Sequence, residues 1–226
     1  MAVSFDYVRI KKPCEVAIAR PKEEAKTVIV IGSGRGGTSC VAGAVHLLGV
    51  RMVETGLEVN SEDSEIVNAF QSPSNKGYIS SLKSIRRVIN KRNSQHKVWG
   101  WKDPSSDLYL DGIISSCRNP HFLFVFRSIF DVALSHVAAN SISIEEAIGS
   151  ALRRYSRNWE LVQKFGCPTL MVGYEKALQD KEGFVSGVCD FLGLHPTAPQ
   201  RRKAISFLRE DGGYRTVSGG RRVRKG

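Results

Sequence analysis

Eight consecutive residues, Gly32-Ser33-Gly34-Arg35-Gly36-Gly37-Thr38-Ser39, combine four glycines, one cation and three hydroxyls. Glycines admit positive φ and let an oxygen approach the main chain with no Cβ in the way. Backbone N–H groups bent around such a turn, with a helix dipole behind them, make a cradle for phosphate or a similar anion. The cradle needs a strand before it and a helix after it. Val28-Ile29-Val30-Ile31 is a β-branched run too short for anything but a buried strand, and Val41, Val45 and Leu48 recur at helical spacing.

The loop departs from the triphosphate-binding pattern G-x-x-x-x-G-K-[ST], because Thr38 stands where the lysine belongs. Its cation is Arg35, earlier in the loop, so charge on a bound group must be met by Arg35 and by residues from elsewhere. Arg127 directly follows the apolar run His121–Phe126, and Ser135 stands two turns into the helix beyond it. That spacing lets a guanidinium and a hydroxyl grip one phosphate from two sides. An arginine at a helix N-terminus opposes the dipole unless an anion is expected there.

The elements that must hold these groups alternate. After the first strand and helix, Ser61 and Ser64 with nearby acids open a helix whose apolar face is Ile66, Val67 and Phe70, and Ile79 to Arg92 is helical with a basic outer face. Lys97 to Trp101 is a second strand, ended by Lys102-Asp103-Pro104, and 108–116 a short helix. His121–Phe126 and Pro168–Val172 are further strands, with helices over 128–139, 144–165, 175–192 and 197–209. Continuous apolar strands imply burial on both faces. The fold class is therefore α/β, a three-layer P-loop-type domain with a central, mostly parallel sheet flanked by helices. Residues 1–26 read as an N-terminal arm, 27–210 as the α/β domain and 211–226 as a basic, glycine-rich C-terminal segment. Ligands of such sheets sit beyond the carboxyl ends of the strands, and the first three exits carry GSGRGGTS, KDP and RSIFDVALSH.

The net charge of +11 is concentrated late, residues 201–226 holding nine Lys/Arg against Glu210 and Asp211. Such a terminus suits a polyanion, an acidic surface or a phosphate-bearing ligand. Five scattered cysteines with no C-x-x-C pair argue against a disulfide framework or a zinc site. No apolar stretch is long enough to span a membrane and no leader is evident, so the expected location is cytoplasmic.

Across residues 27 to 195 the chain resembles the sulfotransferase family that uses 3′-phosphoadenosine 5′-phosphosulfate (PAPS). GSGRGGTS looks like its 5′-phosphosulfate loop and FVFRSIFDVALSH like its 3′-phosphate motif. GWKDP is similar to a segment of the bacterial and tyrosylprotein-type branches, and LMVGYEKAL followed by FLGL to the family's Tyr-Glu segment and next helix. The resemblance implies that Arg35, Gly36, Gly37, Thr38 and Ser39 bind the 5′-phosphosulfate, that Arg127 and Ser135 hold the 3′-phosphate, and that Lys102 sits by the sulfuryl group. It implies PAPS as co-substrate with no metal required, and a small-molecule, sugar or peptide acceptor. A base is still needed. Glu65 fits best among Glu54, Glu58, Glu62, Asp63 and Glu65, Glu62 lies one helical turn earlier, and His46 and His136 are lesser candidates. The family's basic, glycine-rich C-terminal segment has a loose counterpart in 211–226, which implies Arg215, Arg221 and Arg222 as residues to close over the nucleotide.

Two other functions compete. A small-molecule kinase would use Asp103 for magnesium but lacks the loop lysine. A nucleic-acid or anionic-surface module would use the basic terminus, but no aromatic residues interleave with those charges, so nucleic acid is disfavoured. A homodimer is compatible with the sequence.

Overall fold

The structure is a computed structural model describing residues 25–53, 63–71 and 77–209. Strands β1 (Lys26–Gly32), β2 (Val98–Lys102), β3 (Pro120–Phe126) and β4 (Thr169–Gly173) form one sheet in the order β2-β1-β3-β4, every pair parallel. Parallel neighbours require crossover connections, which the helices supply. They are α1 (Thr38–Leu47), α2 (Ser64–Gln71), α3 (Tyr78–Gln95), α4 (Leu110–Ile113), α5 (Ile129–Asn140), α6 (Ile144–Phe165), α7 (Tyr174–Gln179), α8 (Lys181–Leu192) and α9 (Ala198–Phe207).

The pleat of β1 shows why the strand is apolar throughout. Val28 and Val30 join a core with Val41 and Val45 of α1 and Phe184 and Val188 of α8. Ile29 and Ile31 join a second core with Ile85 of α3, Tyr155 and Val162 of α6, and Trp99 and Trp101 of β2. Both faces are covered, so period-2 alternation is absent from the sequence while the three layers are present in space.

Several bounds differ from the sequence reading. Lys102 is the last residue of β2 rather than part of what ends it, and the expected helix over 175–192 is two, α7 and α8. Asp180 stands at the break and accepts from the Gly183 amide at 2.8 Å, capping α8. The expected helix over 108–116 is a single α turn between two 3-10 turns. The expected arm lies outside the described residues except for Ala25 and Lys26, the latter already in β1. Residues 211–226, with Arg215, Arg221 and Arg222, lie outside them too, as do Glu54, Glu58 and Glu62. Among the described residues no helix is long and apolar enough to cross a membrane.

Arg92 does not lie on the exposed basic face of α3 but is 2% exposed. Its guanidinium ion-pairs with buried Asp63, bonds to the Glu65 carboxylate at 2.8 Å and lies 5.5 Å from the centre of the Trp99 ring. Asp63 also accepts from the Ile66 amide at 3.0 Å, so this cluster fastens the start of α2 to α3. Removing one partner of a buried pair strands the other charge, so Arg92→Ala is expected to cost about 3–5 kcal/mol. Urea unfolding would check it, and a loss below about 1 kcal/mol would show the pair to be dispensable.

Candidate active site

The loop after β1 takes the shape its composition suggests. Arg35 has φ 61 and Gly37 φ 85, two left-handed residues flanking Gly36, whose amide closes the turn onto the Ser33 carbonyl at 3.0 Å. A left-handed arginine costs on the order of 1–2 kcal/mol, which the surrounding fold must offset. Alternating hand across successive residues is the geometry that turns amides towards one point. Four long helices, α5, α6, α8 and α9, begin with a side chain (Ser128, Ser143, Asp180, Thr197) accepting from a first-turn amide. Helix α1 begins at Gly37 with no side-chain cap and no acidic residue in its first turn, as α3 does at Gly77, but of the two only α1 is led into by the left-handed glycine loop. Its dipole and leading amides therefore point into the glycine loop without a side-chain cap between them.

Side chains from three other elements hold the loop. Arg127, at the exit of β3, donates from its guanidinium to the Arg35 carbonyl at 3.0 Å and lies 5.3 Å from the centre of the Tyr174 ring. Tyr174, the first residue after β4, packs that ring beneath Gly37 and donates its hydroxyl to the Arg209 carbonyl at 3.1 Å. Tyr155 of α6 accepts from the Arg127 amide at 3.0 Å, and burial raises its hydroxyl pKa. Asn158, buried on the same helix, donates to the Gly32 carbonyl at 3.3 Å. His136 of α5 donates from Nε2 to the Gly34 carbonyl at 3.2 Å, and its Nδ1 accepts from Asn140 at 3.3 Å. This network assigns the Nε2–H tautomer.

Thus the structure brings Arg127 to the loop holding Arg35, Gly36, Gly37, Thr38 and Ser39. The last two are buried at the start of α1. Ser135 is half-buried on α5 beside His136. Arg127 and Tyr174 also border a cleft of ≈ 480 Å³ with Asp131, Glu175, Leu178 and Gln179. That size lies within the usual range for small-molecule sites. Lys102 is buried at the end of β2, next to Asp103. The Asp103 oxygens accept from the Tyr109 hydroxyl and the Ser105 amide, both at 2.8 Å, so the KDP segment is a self-braced turn. Burial and the charge of Asp103 push the Tyr109 hydroxyl well above its ordinary pKa.

Glu65 is placed differently. Its carboxylate pairs with Arg92 at 2.8 Å and Lys91 at 3.1 Å, and the hydrogen bond from Arg92 holds its pKa below the usual carboxylate range. His46 accepts from the Met52 amide at 3.4 Å, and burial lowers its pKa. Tyr155 and Asn158 had no place in the sequence reading, and Tyr174 entered it only through the Tyr-Glu segment, with no role assigned. The available signals were a tyrosine at a strand exit and an asparagine on the apolar stripe of a long helix.

Solved structures share this architecture. The sulfotransferase domain of the Synechococcus PCC 7002 olefin synthase is 18% identical, with 85% of this chain and 81% of that one covered at a TM-score of 0.56. The sulfotransferase STF1 of Mycobacterium tuberculosis H37Rv is 14% identical over 80% and 71%, at 0.55. The mouse sulfotransferase SULT7A1, complexed with PAP, is 12% identical over 86% and 68%, at 0.56. No protein-family model matches the chain, and no curated protein does. The chain has a sulfotransferase-like α/β fold. At these identities the likeness is one of fold.

Proposed function

We propose that the protein transfers a sulfuryl group from PAPS to a hydroxyl or amine of a small-molecule, sugar or peptide acceptor. One arrangement supports this above all: an uncapped helix start and a glycine loop at the exit of β1, overlaid by a guanidinium from the exit of β3. A nucleotide with two separated anionic ends needs two such anchors. In this reading Arg35 and the loop from Gly36 to Ser39 hold the 5′-phosphosulfate, and Arg127 with Ser135 holds the 3′-phosphate. Lys102 stands by the sulfuryl group.

PAPS supplies an activated sulfuryl group whose S–O bond to the 5′-phosphate breaks as the bond to the acceptor forms. Charge builds on the leaving phosphate oxygen and the equatorial oxygens, where fixed amides and cations act most strongly. The acceptor proton passes to a base. We assign that role to a carboxylate among Glu54, Glu58 and Glu62 rather than to Glu65, whose oxygens are committed to Lys91 and Arg92. One of the three Glu→Gln variants is expected to lose at least about 100-fold in kcat with the donor KM unchanged, while Glu65→Gln loses less than about tenfold. Steady-state kinetics of the four variants would check this, and a collapse of kcat in Glu65→Gln alone would reverse the assignment.

His136 acts through the loop. His136→Ala frees the Gly34 carbonyl and is expected to raise the donor KM by about three- to tenfold while kcat stays within about twofold. The kinase alternative has less support, because Asp103 spends both oxygens locally and Thr38 replaces the lysine. Titration with labelled PAPS and an acceptor library, scored for transfer of label, tests the proposed activity itself.

A further inference from the structure

Helix α6 carries two stripes. Ala147, Ala151, Tyr155, Asn158 and Val162 are buried in the domain. Gly149, Leu152, Ser156, Trp159 and Gln163 recur at alternating spacings of three and four along the other side, the pattern of a helix–helix seam. No element of the described chain covers the middle of this seam: Leu152 is 50% exposed and Trp159 37%. Beside it lies an open groove of ≈ 700 Å³ floored by Phe126, Tyr155 and Met171, where β4 forms the edge of the described sheet.

The charges beside the seam point to its occupant. Arg154 and Arg157 are committed to the buried carboxylate of Asp107. Arg153 and Glu160 are exposed and seven residues apart, flanking the seam on the same side. When two copies of such a helix cross antiparallel near Ser156, Arg153 meets the partner's Glu160, and two-fold symmetry repeats the pair. The same operation lays Leu152 against the partner's Trp159, which lines the groove, while the small side chain of Ser156 allows close approach. A patch complementary to itself in both shape and sign is what an isologous interface requires.

We propose that the outer face of α6, with the groove beside β4, is a two-fold interface with a second copy of this chain. The interface does not depend on the sulfuryl-transfer reading. Sedimentation of the full chain between about 1 and 100 µM should show a concentration-dependent rise from the 25.0 kDa monomer to twice that mass. Leu152→Lys should leave a monomer whose melting temperature, compared at about 1 µM where the wild type is also largely monomeric, is unchanged. Arg153→Glu or Glu160→Arg alone should weaken the dimer at least about tenfold, and the double exchange should restore it. A monomer at every concentration overturns the proposal, including one whose Trp159 is shielded from a fluorescence quencher because another segment or partner fills the groove. So does a dimer indifferent to all four variants.

Discussion

Replacing Arg127 with alanine should weaken binding of PAP, adenosine 3′,5′-bisphosphate, by about 100-fold or more. A guanidinium fork on a phosphate supplies charge-assisted hydrogen bonds of about 1.5–3 kcal/mol each, and two of them reach that factor. The structure adds a second contribution. The same guanidinium already bonds to the Arg35 carbonyl and lies over Tyr174, so the substitution also loosens the loop proposed to hold the other end of the nucleotide. Arg127→Lys keeps the charge but loses the fork and the planar stacking, and an intermediate loss of about tenfold is expected. Calorimetry on the three proteins would check the order. Equal affinity for all three would remove Arg127 from the site.

Gly37→Ala should be the most damaging single-methyl change in the loop. Gly37 has φ 85, and a Cβ there would lie 2.2 Å from the Tyr174 ring. That ring has little room to retreat, held by its hydroxyl bond to Arg209 and covered by Arg127. Backbone strain and overpacking together are expected to cost about 2–5 kcal/mol. Gly49→Ala is the control: its φ is 107, but the nearest atom to a new Cβ is Gln200 Nε2 at 3.8 Å. It should cost about 1–2 kcal/mol, the backbone share alone. Urea unfolding of both variants measures the difference. Equal losses would show that the Tyr174 contact contributes nothing.

The parts of the fold legible in the sequence were those carried by short-range pattern. The run Val28 to Ile31, the glycine loop and the spacing of Val41, Val45 and Leu48 lie within one stretch of chain and specify strand, turn and helix together. The apolar continuity of β1 and β3 likewise announced burial on both faces. The contacts that complete the site were not legible, because they depend on sheet order. Arg127 reaches the Arg35 carbonyl and Tyr174 reaches Gly37 because β3 lies beside β1 and β4 beside β3. No local pattern encodes that adjacency. Glu65 shows the same limit from the other side. Its place at a helix start was readable, but the Arg92 that engages it is 27 residues away and looks like an ordinary surface cation of a basic helix.

The two-anchor account is tested most directly by titrating PAP and adenosine 5′-phosphate into the wild-type protein and into Arg127→Ala. It predicts saturable PAP binding without added magnesium, adenosine 5′-phosphate binding at least about 100-fold weaker, and an Arg127→Ala loss at least about tenfold greater for PAP than for adenosine 5′-phosphate. Equal affinities of the wild-type protein for the two nucleotides, or no PAP binding at millimolar concentration, would contradict it.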